Sequence, residues 1–450
     1  MSSILKPYAE YKRSGLPWVP EIPSHWELTR NKNVMRLKKE IVGENHINYT
    51  LLSLTKQGII PRDIENAKGK FPKEFDSYQV VRPSDLVFCL FDIDETPRTV
   101  GLSSLEGMIT GAYTVFEPQI IHEKYLLYYY LALDNSKMLK PLYTGLRKVI
   151  NIDTFLRTYM PYPPREEQNL IVKYLDCNLD KINKLIKVKK KQVALLKEQK
   201  LAVVNSAVTK GLDANAKMKY SGIDWIGDIP EGWEIKPLRQ LLSPVSIKNR
   251  PDLPLLSVVR DRGIIIRDIE NKEENHNFIP DDLSGYKVVE KSQFVMNKMK
   301  AWQGSYGVSQ YDGIVSPAYY VFDVNFDNME YFHYAVRSKV YINFFARASD
   351  GIRSGQWDLS LQKMKEIPFI IPPENEQKQI IEYIPKIFKL IEKAIQDIER
   401  EIQLVEEYKI TLISNIVTGK IDIRDINVVE ITEGIWHDNL NEIYEYGGDE

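Results

Sequence analysis

Ser14-Gly15-Leu16-Pro17-Trp18, followed by Ile22-Pro23 and Trp26-Glu27, returns as Ser221-Gly222-Ile223-Asp224-Trp225, Ile229-Pro230 and Trp233-Glu234, every matched residue displaced by 207 positions. Four of the chain's seven tryptophans lie in this tract, so chance is a poor account of it. A second tract agrees. Gly58-Ile59-Ile60-Pro61-Arg62-Asp63-Ile64-Glu65-Asn66 comes back as Gly263-Ile264-Ile265-Ile266-Arg267-Asp268-Ile269-Glu270-Asn271 with one change. The repeating unit is a domain plus its connector, far longer than the roughly 20–50-residue period of a solenoid. The sequence therefore describes a tandem duplication with an internal pseudo-twofold.

The connectors repeat as well. After Pro163-Pro164 an apolar seam runs Leu175, Leu179, Ile182, Ile186, Lys189, Val193, Leu196, Lys200, Val203, Ala207, in alternating steps of four and three. After Pro372-Pro373 it runs Ile384, Phe388, Ile391, Ile395, Ile398, Ile402, Val405, Lys409, Leu412, Ile416, each the first series plus 209. Such spacing predicts two long coiled-coil helices. Both start at Pro-Pro-x-x-Glu-Gln, with carboxylates in the first turn (Glu167, Glu376), and both end near a glycine, Gly211 and Gly419. Pro385 should kink or restart the second helix. The first helical segment holds eleven Lys and Arg against five acids, the second seven against nine. A parallel pair would set Lys200 beside Lys409, a like-charge contact that is costly away from water. An antiparallel pair instead faces Lys200 with Ile391 and Lys409 with Ile182, and is the expected arrangement.

At 450 residues and 43% apolar composition, the chain can bury two ordinary cores. Two cysteines give no disulfide framework, and no signal-type or membrane-spanning run is evident, which suits a cytoplasmic protein without a membrane partner. Within each copy, Tyr78–Val81, Leu86–Phe91 and Ala112–Phe116 read as strands, with counterparts at Tyr286–Val289, Phe294–Met296 and Ala318–Phe322. Residues 125–139 and 331–347 read as amphipathic helices. Between matched strands the copies diverge: Cys89 to Val100 holds CLFDIDETPRTV, whereas Asn297 to Tyr306 holds NKMKAWQGSY. A kept frame around a changed loop is what two related domains reading different ligands should show.

The duplicated Trp and Ile-Pro openings, the stretch Met296-Asn297-Lys298-Met299-Lys300-Ala301-Trp302-Gln303-Gly304, the Pro-Pro-x-x-Glu-Gln helix starts and the Val-Thr-Gly-Lys helix end resemble the DNA-specificity subunit of type I restriction-modification enzymes over residues 10–425. The resemblance implies an α+β fold: two pseudo-twofold-related mixed α/β target recognition domains separated by two long antiparallel coiled-coil helices. The domains expected are residues 1–164 and 213–373 for recognition, 165–212 and 374–422 for the helices, and 423–450 for an acidic tail. It further implies that each domain reads one half of a bipartite site in double-stranded DNA. The helices would set the spacer and dock two modification subunits that methylate adenine N6. Restriction subunits, with translocase and nuclease activity, join that assembly. S-adenosylmethionine, ATP and Mg would then be used by the partners, with no cofactor on this chain, which would be a non-catalytic subunit of an enzyme complex.

Base reading needs paired donors and acceptors, and basic groups hold phosphates. The divergent loops offer Arg98 and Thr99 in the first copy and Asn297, Lys298, Lys300 and Gln303 in the second. A second pair of loops, after Gly145 and Gly351, offers Arg147 with Lys148, and Arg353 with Gln356. Arg62 and Arg267 belong to the near-identical tract, so they cannot tell two half-sites apart and suit phosphate contact or scaffolding. The sequence carries no phosphate loop, methyltransferase Pro-Pro-Tyr, zinc-helix or Cys-x-x-Cys motif, and its six histidines are scattered. Two alternatives stand beside this reading. One is a specificity-like adaptor that sequesters modification subunits. The other, remote, is a haloacid-dehalogenase-like phosphatase, since Asp92-Ile93-Asp94-Glu95-Thr96 follows a strand as that chemistry requires.

Overall fold

The computed structural model describes residues 6–62, 75–143, 148–260, 262–268, 279–280, 282–351 and 357–426. Arg147, Arg353, Gln356 and the tail from residue 427 lie outside them. The chain forms two compact units interleaved along the sequence, residues 1–189 with 400–450, and residues 190–399.

In the first unit, Met35–Lys38 (β1), Leu86–Phe88 (β2), Val100–Leu102 (β3) and Thr114–Pro118 (β4) make an antiparallel sheet in the order β1-β4-β2-β3. Leu86, Val87 and Phe88 are all buried because both sheet faces are covered. Val87 and Val115 pack with Leu52, Ile59, Val81 and Ile109. On the other face Phe88 meets Phe116, Tyr130 and Phe155 at centroid distances of 4.9–5.6 Å. Tyr130 comes from the helix Glu123–Asn135 (α1), which ends four residues before the expected Leu139, ahead of a left-handed Lys137.

The second unit repeats the sheet with Leu242–Val245 (β5), Phe294–Asn297 (β6), Tyr306–Val308 (β7) and Tyr319–Val324 (β8), in the order β5-β8-β6-β7. The single helix expected over 331–347 is two, Met329–Val336 (α3) and Lys339–Arg347 (α4). Ser338 is extended (φ −70°, ψ 160°) and opens the second helix. The Arg337 guanidinium is spent on the carbonyls of Tyr306 and Arg260, at 2.8 and 2.7 Å. The all-antiparallel pairing of the sheet containing β2 removes the phosphatase reading, which needs a parallel α/β sheet.

The long helices are Arg165–Lys210 (α2) and Glu374–Val417 (α5). Each unit owns a length of both. In the first, Lys409 Nζ donates to Asn183 Oδ1 at 2.8 Å and Lys189 pairs with Glu401 at 2.6 Å, so one number rises as the other falls. In the second, Lys200 pairs with Glu392 at 2.5 Å and lies 4.2 Å over the Phe388 ring, while Val204, Ala207 and Val208 share a cluster with Ile384 and Ile380. Both sets are antiparallel, within one residue of the register that the lysines required. The seam holds Leu175, Leu179, Ile182, Ile186 and Val193 buried on α2, and Ile384, Ile391 and Ile402 on α5, with Leu196, Phe388, Ile395 and Ile398 half-buried. Burial of Lys409, aided by the charge of Arg98, holds its ammonium below the ordinary lysine range. Helix α5 runs through Pro385 without restarting. That proline is on the exposed face, where water can reach the carbonyl it leaves unpaired.

The duplicated motifs turn out to hold these helices. Trp26 Nε1 donates to Glu167 Oε1 at 3.0 Å, and Trp233 Nε1 to Glu376 Oε2 at 2.9 Å. The next residue ties the helix start to the segment before it: Gln168 Nε2 donates to Pro163 O at 2.8 Å and Gln377 Nε2 to Pro372 O at 2.9 Å. The same tryptophans receive the helix ends, since Gly419 (φ +75°) packs on Trp26 and Gly211 (φ +77°) on Trp233. Among the described residues no helix is long and apolar enough to cross a membrane.

Candidate functional site

In the first unit the loop after β2 is closed at its base by Cys89 N donating to Thr99 O at 2.8 Å. Asp92 turns the chain in a left-handed conformation (φ 44°), and its carbonyl accepts from Glu95 N and Thr96 N. The second candidate loop is zipped to this one. Asp92 N donates to Lys148 O at 3.2 Å, and Ile150 N to Leu90 O at 2.7 Å. Lys148 Nζ sits 3.0 Å from Glu95 and 3.2 Å from Asp94, hydrogen bonds that raise its pKa. Tyr143 supports the arrangement by donating its hydroxyl to Asp94 Oδ1 at 3.0 Å.

Arg98 and Thr99 are both taken up by contacts within the fold. Thr99 is 3% exposed. Arg98 turns inward, its Nη1 3.1 Å from Asp134 Oδ2 and from Asn135 Oδ1. Asp134 is buried on α1 and also accepts from Thr99 N and Lys137 Nζ. A buried carboxylate demands donors, so this basic residue is claimed by the fold. The sequence offers basic side chains as base-contact candidates, and Asp92 and Glu95 at the loop's apex only as part of the phosphatase-like motif. Carboxylates were a legible signal, since they accept from the cytosine amino group. Phe91, stacked on Tyr113 at 6.3 Å and 14°, was also passed over.

The second unit brings its two loops together likewise. Leu359 N donates to Lys298 O at 2.9 Å, Lys298 Nζ is 3.2 Å from Asp358, and the Trp302 and Trp357 rings are 5.1 Å apart. Asn297 is spent locally, its Oδ1 accepting from Met299 N at 3.1 Å. Its side chain also bonds Tyr319. Asn297 thus positions the loop, while Lys300 and Met299 are exposed and Gln303 half-buried.

Arg62 and Arg267 hold equivalent places. Arg62 N donates to Leu51 O and Arg267 N to Leu255 O, both at 2.8 Å. Each lies by a tyrosine at the start of the matched strand. Burial pushes the Tyr113 phenol up while Arg62 pulls it down, and burial pushes Tyr319 up against Asn297 and Arg267. Among the described residues no group of three or more His, Cys, Asp or Glu could hold a metal ion.

Residues 109–195 and 230–400 match the family described as the Type I restriction modification DNA specificity domain. The chain belongs to that family. Two Methanocaldococcus jannaschii proteins are similar along almost their full length. One is assigned as the MjaX specificity subunit of a type I restriction enzyme, with 23% identity over 90% of this chain and 96% of the relative. The other is the MjaVIII specificity subunit, with 22% identity over 90% and 95%. A solved structure described as bearing on complex assembly and conformational transition of the type I R-M system shares the fold, with a TM-score of 0.56 and 13% identity over 88% of this specificity chain and 98% of that one.

Proposed function

We propose that each unit of this specificity chain reads one half of a bipartite site in double-stranded DNA. The paired helices set the spacer and dock two modification subunits that methylate adenine N6. The chain performs no chemistry itself. S-adenosylmethionine, ATP and Mg serve the modification and restriction subunits, and the assembly works in the cytoplasm. The observation that carries this reading is the repetition of one frame around two unlike loop pairs. Arg62 with Tyr113 and Arg267 with Tyr319 are matched. In the divergent loops the first unit leaves Asp92 half-buried and Glu95 exposed, whereas the second exposes Met299 and Lys300.

Long-read sequencing of DNA from cells carrying this chain and its modification subunit tests the reading. A split motif with methyl-adenine on both strands is expected, and the absence of any motif that depends on this chain overturns it in favour of a sequestering adaptor. Transplanting the loop from Phe91 to Thr96 from another family member should change one half of the motif only. Deleting one heptad from each long helix, about 10 Å of rise, should change the spacer and leave both halves intact.

A further inference from the structure

The strand edge around Tyr319 is far more cationic than the same edge of the first unit. Lys287, on the strand Lys287–Val289, donates its Nζ to Tyr319 O at 2.5 Å. Lys248 enters beside it, because Val288 N donates to Ile247 O at 2.8 Å. Lys298 follows Asn297, the residue paired with Tyr319 across β6 and β8. Arg267 acts on the same tyrosine. Burial, then the charges of Lys248 and Lys298, hold Lys287 below the ordinary lysine range. Asp358 is ion-paired with Lys298 at 3.2 Å, and Asp268 follows Arg267 in the chain.

Hydrogen-bond register identifies each counterpart in the first unit. Gln79 stands for Lys287, its Nε2 donating to Tyr113 O at 2.6 Å. Val80 N donates to Glu40 O at 2.9 Å, which puts Ile41 in the place of Lys248. Cys89 N bonds Thr99 O as Asn297 N bonds Ser305 O, so Leu90, 5% exposed, stands for Lys298. Of the four cations only Arg62 is kept. The sheet is the same in both units, and Gln79 does for the strand what Lys287 does, so the charge of Lys287 is not there to build it. Like charges gathered at a half-buried edge repel one another, and an anion relieves that repulsion.

We propose that Arg267, Lys248, Lys287 and Lys298 form a binding site for DNA backbone phosphate that the first unit lacks. The second unit then anchors the duplex electrostatically, while the first depends on base contacts. This rests on the reading of the chain as a DNA-binding protein.

The test measures binding of the full chain, by fluorescence anisotropy between 50 and 200 mM salt, to two duplexes, one with its methylated motif and one of scrambled sequence. Lys287→Gln, which installs the first unit's own solution, should lower the slope of log affinity against log salt by about 0.9 for both duplexes. Gln79→Lys should raise it by a similar amount. The motif methylated in cells should stay the same in both variants. An unchanged slope in Lys287→Gln with a native melting midpoint overturns the site. So does a loss confined to the motif duplex, which marks base reading. A wild-type chain that binds both duplexes equally refutes sequence recognition, while the slopes still decide the phosphate site. Binding to neither refutes both.

Discussion

Trp26 Nε1 and Glu167 Oε1 lie 3.0 Å apart, joining the opening tract of the first copy to the first turn of a 46-residue helix 141 positions away. Trp233 and Glu376 repeat the contact at 2.9 Å. Glu167 also takes the Tyr8 hydroxyl and His25 Nε2, the latter at 2.8 Å. Trp26→Phe keeps two of these donors but leaves a buried carboxylate short of one. It should cost roughly 1–3 kcal/mol, measured by urea denaturation. Glu167→Leu, with three donors orphaned, should cost more. Equal stability of wild type and both variants would show the bond to be incidental.

Gly419 and Gly211 end their helices with positive φ against those same tryptophans. A Cβ on Gly419 would stand 2.4 Å from Pro23 Cδ and 3.2 Å from Trp26, whereas one on Gly211 would come no closer than 3.2 Å, to Trp233. Both alanine variants pay the left-handed strain of about 1–2 kcal/mol. Gly419→Ala should fall further, because Pro23 cannot swing aside. Thermal melting of the two variants gives the order.

His333 accepts from Val308 N on Nδ1 at 3.2 Å. Burial, with Arg337 beside it, lowers its pKa from 6.5 to about 4. The folded state therefore favours the neutral ring and the unfolded state takes up the proton first. The stability that depends on this ring is complete above about pH 6.5 and is lost as pH falls toward 4, by about 3 kcal/mol. Denaturation of wild type and His333→Gln between pH 4 and 7 should show the steeper fall in wild type. Parallel curves would remove His333 from the account.

Arg98 and Glu95 share one loop and should behave oppositely. Arg98→Ala withdraws a donor from buried Asp134 and should lower stability by roughly 1–3 kcal/mol, leaving the methylated motif unaltered. Glu95, its side chain 72% exposed, should tolerate Gln with native stability, and any change should appear in one half of the motif. Chemical denaturation together with methylation sequencing of each variant separates the two roles.

The duplication, the two helices, their core register and their antiparallel sense were all readable, because each depends on residue spacing or on where a lysine can sit in an apolar seam. The strands were readable too, as short β-branched runs. The break at Ser338 was not, since it coincides with Arg337 bonding carbonyls distant in sequence. Nor was the uninterrupted course of α5 past Pro385, which depends on that residue facing water.

The candidate site divides on the same line. Sequence alone located the two divergent loops, since a matched frame exposes what differs inside it. Only the tertiary structure decided which loop residues remain for a ligand: Asp134, buried on a separate helix, claims Arg98, and Tyr319 and Met299 claim Asn297. Spacing along a chain reveals periodic burial. Which polar group a buried charge will take as its partner is settled by three-dimensional proximity.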